Sequence, residues 1–217
     1  MISVLFEDVY APKEDSYLII DYFKKKITPS SFDGLKPQDV KYILDMGTGT
    51  GIIAIFLELM KKKYNNYTYK VFASDILPNA IICARHNAKL NNITGKITFM
   101  ISDLFNAFPQ KLRKKFDIVM FNPPYLPSIE MHEGNMNYKK DYTFDGGKKG
   151  HELLLKFLNQ VKEYLNTSHK CYIYYICSSI TNLDVLYEKI LDLGYINTHL
   201  ERIHFFFEDI LLNRLEI

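Results

Sequence analysis

The chain has 217 residues, 47% of them hydrophobic and 24% charged, which predicts one globular domain with a sizeable core over residues 1–217. Its 27 basic and 25 acidic residues nearly balance, so net charge alone gives no reason to expect binding to nucleic acid. The cysteines and histidines lack disulfide or metal-ligand spacing and no apolar run could cross a bilayer. We therefore expect no metal site, no membrane contact and a reducing compartment, the cytoplasm with the nucleus as alternative.

The first predicted element is a helix in residues 11–23, where Pro12 precedes two acidic residues and apolar residues then recur on one helical face. Turn-forming residues follow at 28–37, and we interpret that stretch as a linker rather than a domain boundary. Residues 1–39 are thus expected to form an N-terminal helix and linker, and residues 40–217 the core that carries the site.

From residue 40 onward, predicted strands and helices alternate along the chain. The strands lie at 40–45, 69–74, 96–102, 117–121 and 170–176, the helices at 51–62, 78–90, 150–165 and 182–194, and two closing strands at 196–204 and 209–216. This alternation predicts an α/β fold with a mainly parallel sheet that helices cover on both faces. In such a sheet ligands bind at the carboxyl ends of the strands.

The first core strand ends in a glycine-rich turn. Asp45 is followed by Gly47, Gly49 and Gly51, so glycines occupy every second position where the chain passes from strand to helix. A dinucleotide-binding turn has its third glycine one place later, where this chain has Ile52. Glycines let a ligand lie against bare backbone, and the N–H groups at a helix start favour an anionic group such as a carboxylate. A plain tight turn is the alternative interpretation.

Two further acidic residues follow the next two strands. Asp75 comes after the second core strand and Asp103 after the third, so parallel strands would bring both carboxylates to the edge that holds the glycine turn. The first could accept both hydroxyl groups of a ribose, and the second an exocyclic adenine amine. Either residue alone could instead cap a helix. Together they indicate a nucleoside with a small zwitterionic tail and no phosphates, which favours S-adenosylmethionine over NAD.

Asn122-Pro123-Pro124-Tyr125 ends the fourth core strand. The prolines have no N–H and hold Asn122 extended, so this stretch presents carbonyl groups without competing donors. A planar –NH2 group would fit it, with one hydrogen on the Asn122 side-chain oxygen, the other on the Pro123 carbonyl, and the Tyr125 ring against the planar group. These acceptors bind more strongly as the nitrogen becomes positive on attacking a sulfonium methyl group. Alternatively, the prolines merely end the strand.

In this order and spacing, the glycine turn and Asn-Pro-Pro-Tyr resemble the class I S-adenosylmethionine-dependent methyltransferases that modify planar amino nitrogens. The resemblance implies a Rossmann-like fold with a seven-stranded, mostly parallel sheet and helices on both faces. The last strand of that fold runs antiparallel between the fifth and the sixth. The two closing strands predicted here fit such a hairpin.

Two longer stretches narrow the resemblance. "VYAPKEDSYLII", residues 9–20, and "FDGGKKGHELLLKFL", residues 144–158, resemble the eukaryotic and archaeal branch of HemK-type glutamine methyltransferases. That resemblance implies methylation of the glutamine in the Gly-Gly-Gln motif of the class 1 translation release factor. It also implies a small zinc-binding activator subunit as partner. One departure is Phe144, where that branch usually has tryptophan.

The resemblance also assigns roles to individual residues. Near the methionine end of the cofactor it places Tyr10, Glu14 and Ser16. Around the ribose and tail it places Gly47, Gly49 and Asp75, and at the adenine Asp103 and Leu104. The cofactor set is completed by Asp45, Gly51, Ile76 and Asn122, while the substrate amide is expected at Asn122, Pro123, Pro124 and Tyr125.

Other functions stay open on the sequence. A methyltransferase of this chemistry acting on adenine or another amino group of DNA or RNA is less expected, because no target-reading region or basic face is evident. A cofactor-binding scaffold without turnover is the alternative of another class. For the activator, we expect strand addition at Ile97–Ile101, unless a helix of this chain covers that strand. The polar loop at 126–149 is expected to be mobile over the site.

Overall fold

The computed structural model describes residues 1, 4–128 and 145–217. Within this part of the chain, no helix has the length and apolar character needed to cross a membrane. The α-helices described are α1 (Glu14–Lys26), α2 (Ile52–Lys63), α3 (Pro78–Leu90), α4 (Glu152–Val161) and α5 (Leu183–Asp192), and a 3-10 helix spans Gln110–Leu112. Each α-helix was predicted, although α1 ends at Lys26 rather than 23 and α4 at Val161 rather than 165.

The strands form one large sheet and one small hairpin. The strands are β1 (Ile27–Thr28), β2 (Ser31–Phe32), β3 (Tyr42–Met46), β4 (Lys70–Asp75), β5 (Ile97–Ile101), β6 (Ile118–Phe121), β7 (Tyr172–Ser178), β8 (Ile196–Phe205) and β9 (Glu208–Glu216). Seven of them form a sheet in the order β5-β4-β3-β6-β7-β9-β8. Strands β3 to β7 pair in parallel, and β9 lies antiparallel between β7 and β8. The predicted α/β fold, including the inserted last strand, is confirmed.

Alternate residues of the central strands enter two separate cores. On β6, Ile118 and Met120 pack into the core that α1 and α2 cover, while Val119 and Phe121 pack into the core that α4 and α5 cover. All four residues of this strand are buried. Successive side chains of a strand point to opposite faces, so a strand covered on both faces is apolar throughout.

The stretch interpreted as a linker is more tightly attached to the core than the sequence indicated. After β2, Asp33 is only 8% exposed. Its carboxylate accepts hydrogen bonds from the hydroxyl groups of Tyr22 at 2.9 Å and Tyr174 at 2.7 Å, and from Arg214 at 3.2 Å. The turn formers predicted the turn but could not predict a buried charge within it. The single-domain organisation stays a prediction, and these contacts favour it.

Candidate active site

A cavity of about 550 Å³ opens at the carboxyl edge of the sheet. This volume lies within the range of about 300–1,000 Å³ that small-molecule pockets occupy. Its walls include the residues that follow β3, β4, β5 and β6, together with the start of α1. The predicted site residues on these walls are Tyr10, Glu14, Ser16, Gly47, Gly49, Asp75, Ile76, Asp103, Leu104, Asn122, Pro123, Pro124 and Tyr125.

The glycine turn after β3 presents its backbone to the cavity. Gly49 and Gly51 have positive φ angles of 54° and 82°, which residues with a Cβ rarely adopt. A Cβ at Gly51 would lie 2.9 Å from the Cβ of Ala84, so glycine there allows the turn to pack against α3. At Gly49 the nearest atom to such a Cβ would be the Tyr10 carbonyl oxygen, 3.9 Å away, so this position is open.

Asp45 lies beneath the turn rather than on the cavity wall. It is 1% exposed, and its Oδ2 accepts hydrogen bonds from Thr48 Oγ1 at 2.6 Å and from the Ala54 N–H at 3.2 Å. Burial raises the pKa of this carboxyl group to about 7. Like Asp45, Gly51 is absent from the described cavity wall. Both residues therefore shape the turn, whereas we expected them to contact the cofactor.

Asp75 serves both the cavity and the helix that follows. Its Oδ2 accepts a hydrogen bond from the Gly49 N–H at 2.9 Å, and its Oδ1 accepts one from the Leu77 N–H at 3.0 Å, just before α3. Burial raises the pKa of its carboxyl group. Each carboxylate oxygen has a further lone pair, so Asp75 could also accept hydrogen bonds from the hydroxyl groups of a ribose.

Asp103 lies at a more open part of the wall, after β5. Its side chain is 40% exposed, and its Oδ2 lies 3.1 Å from Lys156 Nζ of α4. The Asn106 amide also donates to this oxygen, at 3.2 Å. Beside it, Leu104 is buried, and together with Ile76 it gives the cavity apolar surface next to an acceptor. An aromatic ring that carries an amino group would suit this combination.

Hydrogen bonds from α1 orient the side chain of Asn122. Ser16 Oγ lies 3.2 Å from Asp15 Oδ1 and 3.3 Å from Asn122 Nδ2. A carboxylate cannot donate, so the single hydroxyl hydrogen of Ser16 goes to Asp15, and the Ser16 oxygen accepts from the Asn122 amide. Asn122 Oδ1 is then a buried acceptor that has no hydrogen-bond partner among the residues described.

Two tyrosine hydroxyl groups meet at the same carboxylate. Tyr10 donates to Asp15 Oδ2 at 2.7 Å, and Tyr125 makes a longer contact to that oxygen at 3.4 Å. Burial, and then the charge of Asp15, raises the pKa of both tyrosines, so both remain protonated donors near neutral pH. Asp15 is 2% exposed and was not among the residues predicted from the sequence.

The Gly-Gly segment packs against the Asn-Pro-Pro-Tyr stretch. The Gly146 N–H donates to the Leu126 carbonyl at 2.9 Å, and the Ser128 N–H donates to the Gly147 carbonyl at 2.9 Å. Ser128 Oγ also donates to Asp145 Oδ1 at 2.6 Å. Two motifs that are separate in the sequence thus form one rim of the cavity. Most of the predicted loop at 126–149, with Phe144, lies outside the described residues.

Sequence reasoning missed the contribution of the β8–β9 hairpin. Ile210 at the start of β9 pairs with Ser178 at the carboxyl end of β7, so the turn between β8 and β9 reaches the edge that holds the cavity. Phe205, Glu208 and Ile210 line the cavity, and Ser178 Oγ donates a hydrogen bond to Glu208. No local motif marks these residues, and only the antiparallel insertion of β9 brings them to the site.

Comparison with known proteins gives three main relationships. Residues 32–136 match the family described as methyltransferase small domain. The chain is 35% identical to a Methanocaldococcus jannaschii protein provisionally named protein N5-glutamine methyltransferase, over 88% of this chain and 83% of that protein. It is 28% identical to human methyltransferase HEMK2, over 74% of this chain and 68% of that protein.

Among solved structures, the fold is similar to a chain of the E. cuniculi Mtq2–Trm112 complex, which is described as responsible for methylation of the translation termination factor eRF1. The TM-score is 0.64 at 21% identity, with 96% of this chain and 98% of that chain covered.

The residues that line the cavity suit the three parts of S-adenosylmethionine. The open backbone at Gly49 suits the amino-acid tail, the Asp75 carboxylate suits a ribose, and Leu104 beside Asp103 suits an adenine. The M. jannaschii relative, which is 35% identical over most of both chains, supports the same assignment. The chain belongs to the HemK-type family of S-adenosylmethionine-dependent protein glutamine N-methyltransferases.

Proposed function

We propose that this enzyme methylates the side-chain amide nitrogen of the glutamine in the Gly-Gly-Gln motif of the class 1 translation release factor. The observation that carries the proposal is Asn122 Oδ1, a buried acceptor without a partner among the described residues, on the wall shared with the glycine turn and Asp75. An acceptor left unpaired in a cavity is costly unless a ligand donor fills it. A primary amide supplies such a donor.

The chain's own residues would hold the cofactor beside this acceptor. S-adenosylmethionine, when bound, supplies a methyl group on a positively charged sulfur. Asp75 would accept the ribose hydroxyl groups, and the backbone at Gly47 and Gly49 would lie along the amino-acid tail. The remaining proposed contacts come from Tyr10, Glu14, Ser16, Ile76, Asp103 and Leu104.

At the substrate, acceptor groups would select the nitrogen and stabilise its positive charge. One amide hydrogen would go to Asn122 Oδ1 and the other to the Pro123 carbonyl, while Pro123 and Pro124 offer no competing N–H. The nitrogen would become positively charged as its bond to the methyl carbon forms and the bond from that carbon to the sulfonium sulfur breaks, which leaves a neutral thioether. The nitrogen would then release one proton to water. Acceptors that bind a positive nitrogen more strongly than a neutral one stabilise the transition state more than the ground state.

For the partner, we propose a small zinc-binding activator at the β5 edge of the sheet. In the described part of the chain, β5 pairs with β4 alone, and Ile101 is 52% exposed. Ile97 is 7% exposed, and the Arg85 guanidinium of α3 lies 5.6 Å from the centre of the Phe99 ring. The helix therefore covers part of one face of β5, while its outer edge could still accept an added strand.

The activator site can be tested with one substitution on each edge of the sheet. Ile101→Arg on β5 should abolish co-purification with the activator, because the charge would be desolvated in the interface. Ile196→Arg on β8, where the side chain is 65% exposed, is the matched control at the opposite edge. If Ile101→Arg retained the activator as fully as Ile196→Arg does, the activator would have to bind elsewhere.

The proposed reaction is tested by incubating the chain and activator with labelled S-adenosylmethionine and separate pools of release factor and RNA. We expect label in the release factor, its loss when the glutamine of Gly-Gly-Gln is replaced, and its loss with Asn122→Ala. Label that nucleases remove would indicate a nucleic-acid substrate, and tight cofactor binding without label would indicate a scaffold. Translation termination makes the cytoplasm the expected compartment, with the nucleus as alternative.

A further inference from the structure

The carboxylate of Asp15 lies outside the Asn-Pro-Pro-Tyr stretch but is linked to two of its side chains, to Asn122 through Ser16 and to Tyr125 directly. Asp15, in the first turn of α1, accepts hydrogen bonds on Oδ1 from the Ser16 N–H at 2.6 Å and Ser16 Oγ at 3.2 Å. On Oδ2 it meets the hydroxyl groups of Tyr10 at 2.7 Å and Tyr125 at 3.4 Å. We propose that Asp15 is the positioning residue that orients Asn122 and Tyr125 for methyl transfer. This inference rests on the proposed function.

The orientation of Asn122 depends on Asp15 through Ser16. An amide side chain can turn by 180°, which would exchange its oxygen and its –NH2 group. With the Ser16 hydrogen committed to Asp15, the Ser16 oxygen can only accept, so Nδ2 of Asn122 turns to it and Oδ1 stays available. Without the carboxylate, Ser16 could donate to Asn122 Oδ1 and remove the acceptor that a substrate amide requires.

The same carboxylate limits the position of Tyr125. Its hydroxyl group is within 3.4 Å of Asp15 Oδ2, and the shorter bond from Tyr10 fixes that oxygen from the other side. The Tyr125 ring is therefore held at both ends, by the backbone after Pro124 and by the hydroxyl contact. A ring held in this way loses little conformational freedom when a planar group binds against it.

The test compares two aspartates of α1. Asp15→Ala removes the acceptor of the Ser16 hydrogen and should lower kcat for release-factor methylation about 10- to 100-fold, as misplacement of reacting groups commonly does, while KM and S-adenosylhomocysteine affinity stay within about threefold. Asp21→Ala, which removes an exposed carboxylate paired with Lys24, should leave kcat unchanged. Ser16→Ala is the second variant, and it should lower kcat in the same direction because it breaks the link to Asn122.

A double-mutant cycle separates positioning from general structural damage. In an Asn122→Ala, Tyr125→Phe background, Asp15→Ala should reduce kcat by less than about twofold, since the groups through which it acts are gone. The same 10- to 100-fold loss in both backgrounds would overturn the proposal. An unchanged kcat for Asp15→Ala alone would overturn it as well.

A measurement without substrate keeps this inference distinct from the proposed function. In the NMR spectrum of the chain with its activator, the side-chain amide signals of Asn122 should move in Asp15→Ala and in Ser16→Ala, and stay in place in Asp21→Ala. Unmoved Asn122 signals in both of the first two variants would refute the positioning role. Absence of release-factor methylation by the unsubstituted chain would instead refute the proposed function.

Discussion

Substituting Gly49 and Gly51 separately should distinguish cofactor binding from stability. Both residues have positive φ, where an alanine costs about 1–2 kcal/mol. At Gly51 the new Cβ would also lie 2.9 Å from the Cβ and 3.1 Å from the Cα of Ala84, and overpacking of this kind costs about 1–3 kcal/mol more. At Gly49 the described residues make no such contact, because the nearest of their atoms is 3.9 Å away. The expected loss of unfolding free energy is thus about 2–5 kcal/mol for Gly51→Ala and about 1–2 kcal/mol for Gly49→Ala.

Thermal unfolding with and without S-adenosylhomocysteine measures both effects. For a chain of this size, 1 kcal/mol corresponds to about 2–4 °C, so Gly51→Ala should lower Tm by at least about 4 °C. It should still gain stability from the ligand, because Gly51 lies behind the part of the cavity wall that the structure describes. Gly49→Ala should lose most of the ligand-induced gain, because its methyl group enters the wall of the cavity. A full ligand-induced gain in Gly49→Ala, or a larger Tm loss there than in Gly51→Ala, would refute this reasoning.

Three further predictions concern single acceptors. Asn122→Ala should lower kcat by about 10²-fold or more while S-adenosylhomocysteine still binds, measured by label transfer and calorimetry, and undiminished kcat would contradict the amide contact. Asp33→Ala should lower the unfolding free energy by about 2–6 kcal/mol in urea, because the hydroxyl groups of Tyr22 and Tyr174 each lose an acceptor, at about 1–3 kcal/mol per group. Arg214 keeps Glu216 as a carboxylate partner, and a loss below about 1 kcal/mol would contradict this prediction. At Asp45, burial raises the pKa from 3.8 to about 7, so the folded chain keeps a proton that the unfolded chain loses between those values. The contribution of this protonated carboxyl group to the free energy of unfolding is at its full value below about pH 4. It falls by up to about 4 kcal/mol as the pH rises to about 7. Asp45→Asn should flatten that fall between pH 4 and pH 7, and an unchanged slope would count against it.

The sequence predicts the parts of the site that follow strand ends. Asp75, Asp103 and Asn122 were expected on one edge because the carboxyl ends of parallel strands meet there, and all three line the cavity. The strands and helices themselves could be predicted because the spacing of apolar residues, every second position in a strand and every three to four in a helix, shows which face is buried. Glycine spacing, in contrast, did not distinguish Gly49 on the wall from Gly51 behind it.

The parts that sequence could not predict depend on contacts between distant residues. Asn122 and Ser16 are 106 positions apart, and Tyr125 and Asp15 are 110 apart. From the sequence, Asp15 is simply a favourable negative charge in the first turn of a helix, and it does occupy the first turn of α1. Only the docking of α1 against the sheet turns that ordinary helix residue into an acceptor at the centre of the site.

The topology explains why this docking matters. The strand order reverses at β3, so β4 and β5 lie on one side of it and β6, β7, β9 and β8 on the other. The proposed cofactor contacts after β3, β4 and β5 thus belong to one half of the sheet, and Asn122 follows β6, the first strand of the other half. The cofactor and the substrate amide would therefore meet where the strand order reverses.

The first turn of α1 contacts Asn122 and Tyr125 at this junction, and the helix is also part of the core, since Ile19 and Phe23 are fully buried. Orientation of the substrate acceptors is therefore coupled to the folding of the N-terminal helix. A change that loosens α1 should reduce turnover before it reduces cofactor affinity, because most of the proposed cofactor contacts come from the sheet.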